Sequence, residues 1–456
     1  LKEVAKKHNM LVSFDEMQSG FGRTGKLFGY EHYDVEPDIL CCGKGASSGL
    51  PLAIVLGNKE VMDLPGVGSM SSTHSANPLV CVAGHENLKA MLEDGLIDNS
   101  NKLGVVFHHK LNQIKDKYPD YLKYVFGKGL VAALVFIDNE GHPLTAARKY
   151  HRAGIYYLRA ERFLHHSDPR ELMTYNRGIN IYRKAREVGR DPVEYVDVPF
   201  QDGLMPCIFV KANVGGPAPV MIHIQGFDSL KEFHYPIIGE EYRKRGMHML
   251  IVDQPGSGGA LRLHNLTTDH QTEHCVKVLV DYVQTRNDVD IDRIGLSGNS
   301  LGGYYAPRAA AFEKRLKCCI AWGALYDFGM LFESATNKEM SAPSVPDVVS
   351  HGMWVTGQKT PEAALEVTRK MTLQGIVEKI TCPLLVAHGE NDRQVPLWMA
   401  TKTYEEAINS PNRKLKIFTL EEGGAEHCQI DNRQLIGDVM SDWAAEIFGL
   451  DLSGIN

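Results

Sequence analysis

The chain has 456 residues, more than one ordinary hydrophobic core accommodates, so two or three domains are expected. The net charge of −7 is mild and spread along the chain, which argues against a nucleic-acid surface. No apolar run is long enough to span a bilayer and no charged-then-apolar leader opens the chain, so a cytoplasmic protein without membrane partners is expected. Because the chain starts at Leu1 rather than Met, a fragment or a processed product is expected. The cysteines are Cys41, Cys42, Cys81, Cys207, Cys275, Cys318, Cys319, Cys382 and Cys428, none in a C-x-x-C pair. Most sit in apolar runs and read as buried thiols in a reducing compartment, with no metal site.

Residues 1–145 alternate strands and helices. "NMLVSFDE", "PDILCCG" and "LAIVLG" read as short buried strands. Residues 77–117 read as helical, and "GKGLVAALVFID" as a strand that opens a new lobe and breaks off at "NEGHPLTAARKY". Residues 146–192 differ: "YHRAGIYYLRAERFLHH" and "PRELMTYNRGINIYRKAREVG" predict two helices, with Asp168 as cap and Pro169 as first residue of the second. An apolar stripe on one side and arginines on the other predict a helical hairpin packed on a neighbour.

Residues 193–450 return to alternation. "PVMIHIQGF", "GMHMLIVDQ", "DRIGLSGNS", "LKCCIAWGAL", "CPLLVAHGE" and "LKIFTLEE" read as strands with helices between them. That order predicts a mostly parallel sheet covered on both faces. Residues 326–380 read as irregular and as part of a lid.

"GLSGNSLGG" holds a G-x-S-x-G, Gly298-Asn299-Ser300-Leu301-Gly302, after the strand "RIGL" and before the helix-like "YYAPRAAAF". A sharp strand-to-helix turn there would lift the Ser300 hydroxyl above the sheet. A hydroxyl nucleophile needs a base, and the base an orienting acid. Two later strands end in "ENDRQVP" and "GGAEHCQ", which supply Asp392 and His427 in the chain order of an α/β-hydrolase. Glu390 is the alternative acid, and His388, inside a strand, reads as structural. The oxyanion hole is expected from the Leu301 N–H and from the loop after "VMIHIQGFDS", at Phe227.

On "AGIYYLRAERF", "IQGFDSLKE", "DQPGSGGALRL", "SGNSLGGYYAPRAAAFEKR", "AWGA" and "GGAEHCQIDN", residues 146–450 resemble the FrsA-like α/β-hydrolases, especially the 2,6-dihydroxypseudooxynicotine hydrolase and fungal yellowish-green group. The resemblance implies a helical cap, here 146–192, before a hydrolase domain at 193–450. It also implies acyl transfer to water without a cofactor, on an ester or on a C–C bond beside a ketone. C–C cleavage requires a carbanion leaving group that is then protonated, a task for His427. A further carboxylate would favour that chemistry, with Glu333 as candidate and an exposed Glu as the plainer reading. The family usually has Gly where this chain has Gln254.

Lys44 lies between two glycines at a strand end, where an amine can form a Schiff base with an aldehyde. Asp15, in "LVSFDEMQSGFGRTG", can hold a pyridine nitrogen protonated. The run from "SFDEMQSGFGRTG" to "GKGASSGLPLAIVLG", with "SSTHSANPLVCVAG", resembles class III aminotransferases of the ornithine type. The resemblance implies pyridoxal phosphate on Lys44, Asp15 at its ring nitrogen, Gln18 at its ring hydroxyl and Thr73 at the phosphate, typically of a homodimer partner. The family's first half, with its phosphate cradle and stacking ring, is not represented, and "ASSG" replaces the usual Gly-rich run. The expected fold class is therefore α/β: a partial aminotransferase large domain at 1–145, a cap remnant and an α/β-hydrolase. Serine hydrolysis is the expected function and transamination an incomplete second activity. A third reading is a fusion in which neither part works and unpaired strands promote aggregation.

Overall fold

The computed structural model describes residues 2–66, 68–70, 73, 75–119, 121–136, 142–340 and 343–453. They form two compact units, Leu1–His142 and Pro143–Asn456.

In the first unit, β1 (Ser13–Asp15) pairs in parallel with β2 (Ile39–Cys42), which pairs antiparallel with β3 (Ile54–Gly57). The expected strand at "NMLVSFDE" shrinks to three residues because Met10 and Leu11 are exposed, with nothing to pack against. The helical region divides into Pro78–Glu93, capped by the Asn77 side chain, and Leu96–Lys117. Gly95, at φ 69°, turns the chain between them, a conformation most open to glycine. The expected single strand at "GKGLVAALVFID" is divided: Gly127 and Lys128 end β4 (Leu122–Lys128), Gly129 and Leu130 turn the chain, and β5 (Val131–Phe136) folds back antiparallel on β4. The last two residues of that stretch, 137 and 138, lie outside the described residues. The core is small, built on Phe21, Leu40, Cys42 and Ala46. Leu79, Val82, Val105 and Val106 on the two long helices face solvent.

The second unit opens with helices Pro143–Glu161 and Pro169–Gly189. Asp168 caps the second by accepting the Arg170 N–H, as its sequence position predicts. A Cβ on Gly154 would come within 3.0 Å of the Tyr182 backbone, so glycine here lets the helices pack closely. The first helix ends at Glu161 rather than at His166, because Glu161 and Arg162 turn to ion pairs with Arg262 and Asp228.

The sheet of this unit contains β6 (Val193–Phe200), β7 (Gly203–Val210), β8 (Ala218–Ile224), β9 (His248–Val252), β10 (Val289–Asn299), β11 (Cys318–Trp322), β12 (Leu384–Gly389) and β13 (Arg413–Phe418). Their order is β13-β12-β11-β10-β8-β9-β7-β6, parallel except where β7 meets β9 and β6. The antiparallel pair β6–β7 was not among the expected strands. Alternate residues face opposite layers: Val220 and Ile222 join Leu296 and Tyr304, whereas Met221 joins Met249 and Ile320. Both faces are buried, which is why the central strands read as unbroken apolar runs.

Residues 326–380 are not irregular. They contain helices Phe328–Thr336, Val348–Thr356 and Pro361–Thr368. Each is short but capped: Asp327, Asp347 and Thr360 accept the N–H groups of Met330, Ser350 and Ala363. Such caps stabilise helices too short to show clear periodicity. Residues 341 and 342 of this segment lie outside the described residues.

Candidate active site

Four chain segments converge at the carboxyl ends of the parallel strands, where open α/β sheets place their ligands. They are Gln225–Phe227 after β8, Ser300 after β10, Asp392 after β12 and His427 after β13. Ser300 sits at φ 55°, between β10 and the helix Gly302–Phe312. Its N–H donates to the Trp322 carbonyl at 2.8 Å. The flanking glycines are a steric requirement: a Cβ on Gly298 would lie 2.3 Å from the Gly302 carbonyl oxygen, and one on Gly302 2.8 Å from the Ile224 oxygen.

Ser300 Oγ lies 2.9 Å from His427 Nε2, and Asp392 Oδ2 lies 2.7 Å from His427 Nδ1. The Asp392 carboxyl is wholly buried; its Oδ1 accepts the N–H groups of Gln394 and Val395, both at 2.9 Å. Burial alone would raise this carboxyl, but the hydrogen bond and charge of His427 lower it below its ordinary value. An ionised Asp392 accepts from Nδ1–H, which leaves the Nε2 lone pair to accept the Ser300 hydroxyl. Burial works against charge on His427, yet the Cys428 sulfur and the bond to Asp392 outweigh it and raise the imidazole.

The loop bearing His427 is held by Asp431, whose carboxylate accepts the N–H groups of Gly424, Ala425 and Glu426 at 2.9, 3.0 and 3.2 Å. Cys428 follows at φ 47°, with Sγ 3.6 Å from His427 Nε2. Sequence reasoning passed over both. The four-residue reach of Asp431 behind His427 was the available signal for the first.

Phe227, Ser300 and Leu301 line one cavity together with Phe328, Phe332 and Val395. Among the described residues, neither the Phe227 nor the Leu301 N–H donates to a protein acceptor. Gly226 passes close to the nucleophile, since a Cβ there would lie 3.0 Å from the Ser300 Cβ. Glu390 is exposed and accepts the Leu420 N–H, away from His427. His388 is fully buried in β12 and donates to the Val395 carbonyl at 2.9 Å. Glu333 is partly exposed and pairs with Arg369 at 2.7 Å; its neighbour Phe332 lines the cavity instead.

In the first unit, Asp15 ends β1 opposite Cys41, and Lys44 follows β2 at φ 45°. Asp15, Gln18, Lys44 and Thr73 are all exposed. The buried acid is the next residue, Glu16, whose carboxylate accepts the N–H groups of Gly29 and Tyr30 at 2.9 and 2.8 Å. An amine and a carboxylate at the ends of adjacent strands suit pyridoxal phosphate in kind. Among the described residues the side chains proposed to hold it are exposed and not enclosed in the low-dielectric site that an electron-sink cofactor needs, so the fit is partial.

The model of the Prolyl oligopeptidase family matches residues 240–449, and that of Aminotransferase class-III matches residues 1–166, running into the first helix of the second unit. The structure of 2,6-dihydroxy-pseudo-oxynicotine hydrolase is similar with a TM-score of 0.57 and 26% identity, covering 67% of this chain and 82% of that one. The second unit has an α/β-hydrolase fold. AbyA5 shares the fold, with a TM-score of 0.53 at 20% identity over 68% of this chain and 89% of its own. The first unit is similar to part of the class III aminotransferases. Acetylornithine aminotransferase of Agrobacterium fabrum (strain C58) is 34% identical over 155 residues, which are 34% of this chain and 39% of that protein. Its counterpart in Synechocystis sp. is 40% identical over 134 residues, 29% and 31% respectively. The chain spans about a third of the length of these curated relatives. No helix among the described residues is long and apolar enough to cross a membrane.

Proposed function

We propose that the chain is a serine hydrolase in which Ser300 attacks a carbonyl carbon, His427 moves the proton and Asp392 orients the imidazole. The observation that carries this reading is the unbroken hydrogen-bond line Ser300–His427–Asp392, with spacings of 2.9 and 2.7 Å, beside two unused N–H groups. As the Oγ–C bond forms, the hydroxyl proton passes to Nε2 and the carbonyl electrons move onto oxygen. The Leu301 and Phe227 N–H groups face that charge. The tetrahedral species collapses, and the leaving group takes the proton from Nε2. Water then gives a proton to Nε2 and attacks the acyl carbon; as the acyl–Oγ bond breaks, Ser300 Oγ takes that proton back from Nε2 and the acid product leaves. The bond cleaved is an ester or a C–C bond next to a ketone; in the second case His427 protonates the departing carbanion.

In this reading 193–450 is the hydrolase domain, 146–192 its cap segment and 1–145 the aminotransferase-like part, in a cytoplasmic protein. Labelling with a fluorophosphonate, read by peptide mapping, tests it. A single adduct on Ser300, absent in Ser300→Ala and in His427→Ala, is expected. Unchanged aryl-ester turnover in Ser300→Ala would refute it.

A second reading, transamination on pyridoxal phosphate bound at Lys44, is favoured by the family match over residues 1–166. It expects a visible absorbance band that shifts with an amine donor and is absent from Lys44→Ala. A parent chain that stays colourless after incubation with the cofactor refutes it.

A further inference from the structure

We infer that Gln254 is a positioning residue for the oxyanion hole, a role that rests on the hydrolase reading above. β8 and β9 pair in parallel up to Ile224 and Val252 and then part. The next ladder group on the β9 side is lost to it, because the Asp253 N–H donates to the Pro206 carbonyl instead. The Gln254 side chain takes its place. Its Oε1 accepts the Gln225 N–H at 2.8 Å and its Nε2 donates to the Gln225 carbonyl at 3.0 Å. One primary amide thereby holds both polar groups of a single backbone residue, with Gln254 and Gln225 both buried. A planar amide with donor and acceptor side by side fixes its partner in direction as well as distance.

The clamped residue is the root of the loop that carries the second oxyanion donor. Gly226 comes next, pressed against Ser300, and then Phe227 with its unused N–H. Further along, the loop is tied by His351 Nε2, which donates to the Phe227 carbonyl at 3.1 Å, and by the Asp228–Arg162 ion pair. It ends at Lys231, whose N–H donates to Asp253 at 2.9 Å. His351 and Arg162 hold the outer half of the loop. Among the described residues, only the Gln254 amide hydrogen-bonds the Gln225 backbone before Gly226, and glycine imposes little direction of its own. Without that clamp, the Phe227 N–H would swing relative to the position the oxyanion takes. Transition-state stabilisation falls when a donor is misplaced, whereas ground-state binding in the apolar cavity does not depend on it.

The test uses the full chain with Gln254→Leu, and Gln254→Met as a second variant of matching length. Aryl-ester kinetics and affinity for a trifluoromethyl ketone, which adds to serine as a tetrahedral oxyanion, are measured beside thermal midpoints. We expect kcat to fall about 10- to 100-fold with KM changed less than about twofold. Ketone affinity should fall by the same factor as kcat/KM. The acid limb of the pH profile, set by His427, should stay in place. A merely structural role would lower the thermal midpoint and leave kcat and ketone affinity as in the parent below it; that result overturns the inference alone. A parent that neither labels at Ser300 nor turns over ester overturns the hydrolase reading and this inference together.

Discussion

Replacing Asp392 by Asn tests the proton path at its most buried point. The carboxylate makes three hydrogen bonds: Oδ1 accepts from Gln394 and Val395, and Oδ2 from His427. An asparagine of the same shape must keep its oxygen on the two backbone N–H groups, since an NH₂ there would face two donors. Its NH₂ then points at His427 Nδ1 and donates to it. The imidazole proton is forced onto Nε2, which faces Ser300 Oγ and can no longer accept the hydroxyl proton. Binding and the oxyanion donors are untouched, so the loss belongs to kcat. Its expected size is about 10⁴-fold, or about 5.4 kcal/mol of transition-state stabilisation. Steady-state aryl-ester hydrolysis above neutral pH measures it, with a thermal midpoint to show that the fold persists. A folded Asp392→Asn protein that loses less than about tenfold in kcat would refute the assigned tautomer and the orienting role.

Two further outcomes are expected. The Cys428 sulfur contributes to raising His427, and the base must be neutral to act, so activity should climb with pH through that raised value. Cys428→Ala should move the acid limb of kcat/KM to lower pH while leaving the plateau nearly intact; a pH titration in which the limb does not move would count against it. In Gly298→Ala the new methyl would meet a backbone oxygen at 2.3 Å, with no flexible side chain to yield. Labelling of Ser300 should drop to below about a tenth of the parent's, as quantified by intact mass, because overpacking at this turn displaces the nucleophile.

The hydrolase part was legible because each of its signals is local. Unbroken apolar runs mark strands buried on both faces, and Gly298 and Gly302 mark a turn with no room for side chains. The order of Ser300, Asp392 and His427 follows from which strands end at the same edge. The helices within 326–380 escaped because eight or nine residues hold too few turns for periodicity, and their stability comes from caps and packing. β6 and β7 escaped for a different reason: the pairing that makes them a hairpin at the sheet edge is non-local. In the first unit, residue pattern alone pointed to Lys44 and Asp15 as a cofactor pair, but pattern carries no information about enclosure. Exposure of Asp15, Gln18, Lys44 and Thr73 became visible only with the fold.

The sequence by itself pointed to the class of sheet and to Ser300 and His427 as candidate nucleophile and base, with Asp392 or Glu390 as the acid, because steric and chemical demands at those positions admit few residue types. Tertiary structure alone decided which acid meets His427, since Glu390 and Asp392 are two residues apart and only one turns inward. It alone placed the Cys428 sulfur beside His427 and the Gln254 amide on the backbone of Gln225. Those contacts depend on how strand ends splay and loops close over them, and the direction of a side chain across such a gap is set by packing rather than by its neighbours in the chain.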